Sequence, residues 1–442
     1  MTPAAGDADD FAAAGRDMHA LVRELYPICR SITGDGVRAT LARVQREIPL
    51  QVHEVPSGTP AFDWTVPREW NIRDAWVKNP RGERVIDFRR HNLHVVSYSV
   101  PVRARMTLEQ LRPHLHSLPQ QPDLIPYRTS YYREDWGFCL AHRDLESLPE
   151  GEYEVCIDST LADGHLTYGE CFLAGTSRDD VLFSCHVCHP SLCNDNLSGI
   201  AVATFLAKAL AAAPRRLSYR FLFIPGTIGS ITWLSRHEEQ ARRIRHGLVL
   251  TGIGDAGAFT YKASRRGDAA IDTAVRHVLR HADPGHAWRP FSPYGYDERQ
   301  YCSPGFNLPV GCLMRTPHGE YPQYHTSGDN PDFVHAGQLA GSLRALLAIA
   351  DVLEHDATYR NTQPMCEPQL GKRGLYGAMG GNGIRDLEMA MLWVLNLSDG
   401  GASLLAIAER SGLPFGTIHA AARLLLAHGL LAPQGENTAL RQ

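Results

Sequence analysis

Apolar residues recur every three to four positions through residues 11–48, at Leu21, Val22, Leu25, Tyr26 and Ile28, then at Leu41, Val44 and Ile48. That spacing predicts two helices, each with one buried stripe. The turn between them, Ser31-Ile32-Thr33-Gly34-Asp35-Gly36, has two glycines that tolerate left-handed backbone. Residues 1–15, rich in Ala and Asp, read as a loose tail. From about residue 50 to 165 the pattern becomes short alternating runs broken by Pro and Gly, which predicts strands over 51–55, 85–88, 94–100, 137–141 and 153–157. Helix is expected there only over 107–118, where Thr107 can cap and Glu109 sits in the first turn.

Residues 166–360 alternate differently. Four apolar runs, 181–185, 220–224, 248–251 and 310–314, are separated by helical patterns over 197–213, 229–245, 269–282 and 337–355. Unbroken apolar strands are buried on both faces, so the expected class is α/β, a mostly parallel sheet covered by helices. Such sheets carry their chemistry on loops after the carboxyl ends of strands. Beyond residue 380, three amphipathic stretches at 386–396, 403–411 and 415–428 are followed by Gly429-Leu430-Leu431, and the unit resembles a winged helix-turn-helix. Gly412 ends the second helix.

Composition narrows the classes. The chain has 442 residues, 44% apolar and 21% charged, with a net charge of −4. That length holds roughly two to four domains with real cores. No stretch approaches the ~18–20 uninterrupted apolar residues of a membrane helix, and the start lacks a signal-peptide pattern. There is no basic footprint for nucleic acid, and the third C-terminal helix carries one arginine, Arg423, where DNA readers need several contacts. The expectation is a soluble cytoplasmic protein, a possible homo-oligomer, with no membrane or nucleic-acid partner. Its ten cysteines then stay reduced. Twenty-one histidines against 14 phenylalanines invite a search for metal ligands.

The densest chemistry lies in Ser184-Cys185-His186-Val187-Cys188-His189-Pro190-Ser191-Leu192-Cys193-Asn194-Asp195-Asn196-Leu197-Ser198-Gly199. An apolar strand delivers His186 to its end, and Asp195 stands just before the next helix. A distant His325 lies in Tyr324-His325-Thr326. Imidazole and carboxylate suit Zn²⁺, and a strand end, a helix start and a later loop can meet in one crevice. Cys185-His186-Val187-Cys188 is also a C-x-x-C, but a structural zinc site needs a second spaced pair and none is nearby.

Residues 184–199 resemble the "HxD…DNaSG" signature of M28-type zinc aminopeptidases, and Tyr324-His325-Thr326 resembles their "YHT" loop. The match extends to bacterial aminopeptidase-like proteins of the DUF4910/DUF2172 kind, through Ser31-Ile32-Thr33-Gly34-Asp35-Gly36, Phe62-Asp63-Trp64, Ser264-Arg265-Arg266-Gly267-Asp268, residues 297–305 and Cys366-Glu367-Pro368. The resemblance implies an M28-type domain at 166–370 that includes the helices of 1–50, an inserted small β-rich domain at 51–165, and a winged helix at 380–442.

It also implies metal ligands His186, Asp195 and His325, with Asp195 as the bridging carboxylate. The chain departs from the M28 pattern in two places. Ile224-Pro225-Gly226-Thr227 holds no carboxylate where a Glu-Glu pair belongs, and Thr251 replaces a ligand Asp. The remaining set suits one zinc per chain, unless Asp255 supplies a replacement ligand. Glu298 and Glu320 become the candidates for the general base, with Glu298 preferred. Arg315 and His318 could hold a substrate carboxylate or an oxyanion, His189 could support the metal, and Tyr131 and Tyr132 could form a wall over the cleft. The implied activity is zinc-dependent hydrolysis of a peptide or amide bond in a short peptide or aminoacyl conjugate. A catalytically divergent scaffold is the alternative.

Overall fold

The computed structural model describes residues 8–375 and 382–434. They divide into two units, one holding residues up to 272 and 285–346, the other residues 273–284 and 347 onward.

The first unit is built on an eight-stranded mixed sheet. Its centre is four parallel strands in the spatial order Ser218–Ile224, Asp180–His186, Ile244–Leu250, Val310–Met314. Every residue of Asp180–His186, Ser218–Ile224 and Val310–Met314 is buried, as their unbroken apolar runs require. Antiparallel strands His165–Leu173 and Gln51–Pro56 extend one edge, and Thr260–Lys262 with Ala287–Arg289 extends the other. Helix Ser198–Ala211 packs on Asp180–His186 and carries helix Ala8–Leu25 on its other side. The chain leaves Asp180–His186 towards one neighbour and Ile244–Leu250 towards the opposite one. The crevice between two such strands, at their carboxyl ends, is where open α/β sheets bind ligands.

The segment between Gln51–Pro56 and His165–Leu173 forms a separate antiparallel sheet in the order Arg84–Asp87, Glu69–Lys78, Glu152–Ala162, Val102–Thr107. Trp70, Ala75, Val77, Ile86, Tyr153 and Val155 fill its core. Gln51–Pro56, expected in this insertion, instead pairs with His165–Leu173 in the large sheet. The expected strand at 94–100 is mostly irregular, with a short helical turn at Asn92–His94 and isolated bridges. The expected helix at 107–118 has its capping box at Thr107 but runs only over Leu108–Leu111, because Pro113 has no N–H for its continuation. The tail reading fails from Ala8, where the first helix begins; residues 1–7 lie outside the described residues. Among the described residues one helix, Ala336–His355, is long and apolar enough to cross a membrane, although Arg344 and Asp351 interrupt it and 56% of its most apolar window is buried.

The second unit is a winged helix. Helices Asn382–Leu397, Leu404–Ser411 and Phe415–Ala427 accompany a sheet ordered Asp399–Ser403, Thr358–Asn361, Leu431–Pro433. Gly412 ends the middle helix at φ 72°. The N–H of Phe415, first residue of the third helix, donates to His277 Nε2 at 2.9 Å, and Nδ1 of the same ring lies 2.9 Å from Glu409.

In the first turn of the second helix, Asp35–Val44, a Cβ on Gly36 would stand 1.9 Å from the Cys29 carbonyl oxygen. Gly36→Ala must therefore displace backbone, at a cost of about 1–3 kcal/mol. The expected result is a melting temperature lower by several degrees, read by differential scanning calorimetry.

Candidate metal centre

The sequence around Asp195 folds as it does because its polar side chains take up backbone groups. After His186 the chain turns through a loop into Cys193–Leu197 and then helix Ser198–Ala211. The buried carboxylate of Asp329 accepts the N–H of Cys193 at 3.1 Å, of Asn194 at 2.6 Å and of Asp195 at 2.9 Å. Asn194 accepts the Gly254 N–H and donates to Asp255. Asn196 donates to the Leu250 carbonyl and accepts from Gly199 N–H. Ser198 donates to the Asn194 carbonyl. Each polar residue of Asn194-Asp195-Asn196-Leu197-Ser198 thus has a partner fixing the carboxylate of Asp195.

Around that carboxylate three imidazoles converge. His186 Nε2 lies 2.8 Å from Oδ1, His325 Nε2 lies 3.0 Å from Oδ2, and His189 Nε2 lies 3.9 Å from Oδ2. The Tyr296 hydroxyl donates to Oδ1 at 3.1 Å, and its ring stacks on His186 with centroids 4.8 Å apart. Asp195 and His186 are buried, while His325 is one-third exposed on the open side. Burial pushes the His189 imidazole down to about 3, leaving it neutral with a lone pair to give. Burial opposes ionisation of Asp195, yet the neighbouring His189 and His186 rings and the hydrogen bonds from His186 and His325 hold it well below the usual carboxylate range. His325 sits at φ 54°, a conformation uncommon outside glycine and concentrated at functional sites.

His325 is held from two sides. Tyr324 stacks on it at 3.9 Å, and Tyr127 of the insertion meets it edge-on at 5.1 Å. The Tyr127 N–H donates to the His325 carbonyl at 2.8 Å, and Ser327 N–H donates to the Ile125 carbonyl. The insertion therefore carries the loop that presents His325.

The remaining expected residues scatter. His189, expected in support, stands among the ligand atoms: those of His186, His189 and Asp195 lie within 4.8 Å of one another. His318 meets Tyr296 edge-on at 5.1 Å, beside the cluster. Tyr131 reaches it indirectly, its hydroxyl 2.7 Å from that of Tyr127, and Tyr132 packs on Trp64 at 5.5 Å. Asp255, the possible replacement ligand, instead binds Thr316, Gly257 and Asn194. Arg315, expected at a substrate, is buried, bound to the Gly257 and Gln338 carbonyls, and lies 4.2 Å over the Phe259 ring. Glu320 is half-exposed and gripped at both oxygens by Arg289. Glu298 is buried, but its Oε1 accepts from Lys262 at 2.7 Å, so a cation already answers its charge.

Sequence reasoning passed over Tyr296, Asp329 and Asp297, and took Tyr127 only as the start of an aromatic segment that could wall the cleft. The signals were Tyr296-Asp297 beside Glu298, and Asp329 four residues after His325.

Residues 19–356 match the family described as a domain of unknown function, DUF4910, and residues 357–433 match a winged helix-turn-helix family. The chain belongs to the DUF4910 family. A Clostridium acetobutylicum relative, provisionally named a polysaccharide biosynthesis protein with an aminopeptidase-like domain, is 52% identical over 418 residues, 94% of this chain and 96% of its own. A crystal structure from the same organism, provisionally named a peptidase, superposes with a TM-score of 0.92 at 50% identity over 96% of this chain and 98% of its own. The Bacillus subtilis zinc aminopeptidase BSAP gives 0.56 at 12% identity over 77% of this chain and 94% of its own. An M28 peptidase precursor from Shewanella amazonensis gives 0.55 at 13% over 78% and 96%. This DUF4910 protein has the M28-type aminopeptidase fold.

Two substitutions separate the residues that build this centre from those outside it. Asp329→Ala strips three amides of their acceptor and loosens Asp195; affinity for added zinc, measured by competition with a chelator, should fall about 10–100-fold. Glu320→Gln removes only an exposed ion pair and should change unfolding free energy by less than about 1 kcal/mol in a denaturant titration.

Proposed function

We propose that this DUF4910 protein is a single-zinc hydrolase of peptide or amide bonds, acting on a short peptide or aminoacyl conjugate. The observation that carries the reading is the convergence of His186, His189 and His325 on the two oxygens of Asp195. Neutral imidazoles with one carboxylate are a zinc-type donor set, and the burial that keeps His189 uncharged suits it to a metal. His186, Asp195 and His325 would hold the ion, with His189 beside them. When bound, zinc polarises the scissile carbonyl and lowers the pKa of a water towards ~7.

The chain's own residues supply the rest. Burial and the Asp195 charge push the Tyr296 phenol well above its ordinary range, so it stays an O–H donor at neutral pH. Its oxygen lies 3.3 Å from that of Tyr324, and in this reading the Tyr324 hydroxyl, backed by Tyr296, donates to the developing oxyanion. Tyr127 fixes the His325 loop and, with Tyr131, walls the cleft against water. The name of the Clostridium relative adds amides carried on sugar precursors to the candidate substrates.

A scaffold that has lost catalysis is the second reading, favoured by Gly226 and Thr227 where the fold's zinc enzymes keep glutamates. For the winged helix we propose packing in place of duplex DNA binding. Its third helix begins with a buried amide already bound to His277, at the end where base-reading helices make their contacts.

Metal analysis by mass spectrometry should find about one zinc per chain, lost in His186→Ala. A panel of aminoacyl amides should be hydrolysed in a chelator-sensitive way. Two zinc equivalents would end the single-metal reading, and a zinc-loaded chain inert towards the panel would leave the scaffold.

A further inference from the structure

The turn Pro225-Gly226-Thr227 follows strand Ser218–Ile224 and borders the metal centre, yet offers no carboxylate. A Cβ on Gly226 would lie 3.2 Å from His186 Cβ and 3.5 Å from Oδ2 of Asp297. The space a longer side chain at 226 would enter therefore already meets a carboxylate from a different loop. Asp297 is fully buried. Its Oδ1 accepts from the Ser230 hydroxyl at 2.7 Å, while Oδ2 has no hydrogen-bond partner among the described residues. A buried carboxylate oxygen without a donor is costly and calls for an explanation; Oε2 of Glu298 is unpartnered too, but its Oε1 is held by Lys262.

We propose that Asp297 replaces the absent glutamate as the proton acceptor of the hydrolysis, its free oxygen Oδ2 being the receiving atom. The inference rests on the hydrolase reading above. In the step, an O–H bond of the attacking water breaks as its oxygen bonds to the carbonyl carbon, and the proton passes to Oδ2. When the C–N bond breaks, that proton moves to the leaving nitrogen, and Asp297 is again a carboxylate. Burial pushes the Asp297 carboxyl up to about 6, against the hydrogen bond from Ser230 and the charge of His186. A base poised near neutrality suits proton transfer at physiological pH. Its neighbour Glu298, turned to Lys262, does not share the role.

Asp297→Asn should keep about one zinc while kcat falls ~10²–10⁴-fold. Adding Gly226→Glu returns a carboxylate to the same space from another position and should recover at least ~10-fold of the loss. Zinc-loaded Asp297→Asn with near-wild-type kcat overturns the inference and leaves the hydrolase reading standing. Loss of zinc from that variant, or a zinc-loaded double variant no faster than Asp297→Asn alone, also overturns it. A zinc-loaded wild type inert towards the whole panel overturns the hydrolase reading and this inference with it.

The metal-free protein gives a readout independent of turnover. A carboxyl raised to about 6 holds a proton that the unfolded chain, with its ordinary value near 4, has already lost. Asp180 and Asp329, raised as well, tilt both proteins alike, so the difference is read: the stability of wild type relative to Asp297→Asn should fall as pH rises from about 4 to 6. Equal slopes overturn the inference. If Asp297→Asn does not fold, Ser230→Ala serves, since losing that donor raises the Asp297 pKa and should move the acidic limb of kcat/KM to higher pH. An unmoved limb overturns it.

Discussion

A carboxylate sealed from water is costly unless donors or cations answer its oxygens, and both oxygens of Asp195 are answered. Its partners come from three remote parts of the chain: His186 from the central sheet, Tyr296 from a later loop and His325 from 130 residues further on. Its backbone is pinned by a second buried carboxylate, Asp329, four residues after His325. The strand end, the helix start and the His325 loop are therefore tied into one unit. Displacing any of them leaves a buried oxygen or amide unpaired, which costs about 1–3 kcal/mol per group. The arrangement is stiff for the same reason that it can bind a metal: the oxygens now facing imidazole nitrogens are the ones an ion between them would take.

The insertion belongs to this constraint. Its main chain pairs with that of the His325 loop through Ile125 and Tyr127, and the Tyr127 ring closes one side of the imidazoles. The outer wall of the cleft and the orientation of a ligand are thus fixed by the same short segment. A change in the insertion that moved Tyr127 would act on His325 before it acted on any substrate.

Much of this was legible in the sequence. The four apolar runs became the parallel core, and His186, Asp195 and His325, separated by up to 139 residues, could be brought together because each stands beside a predictable strand end or helix start. What failed concerned direction. Asp297 and Glu298 are consecutive, at the start of the short helix Glu298–Tyr301, so their side chains point to different neighbours. Asp297 turns to Ser230 and Gly226, and Glu298 turns to Lys262, a residue too distant in sequence to suggest an ion pair. Arg315 and Asp255 stand near strand ends, where chemistry was expected, but they are taken up by backbone groups and by hydroxyl and amide side chains distant in sequence, Ser342, Thr316 and Asn194. The strand at 94–100 failed for a related reason: its alternation is satisfied by burial against the insertion core without ladder pairing.

Charge also bears on how many metals such a centre would hold. A two-zinc site brings four positive charges into a buried crevice and needs several carboxylates to answer them. Here Gly226, Thr227 and Thr251 contribute none, and Asp255 is committed to Thr316 and Asn194. Within the cluster Asp195 is the one carboxylate, set among three imidazoles. One divalent ion beside one carboxylate leaves a single net positive charge, which suits polarising a carbonyl. A second ion would sit against imidazoles, which supply no negative charge. Asp297 does not alter that balance: its oxygen lies near the Cβ position of Gly226, and its raised pKa marks it as a group that exchanges a proton more readily than it carries a permanent charge.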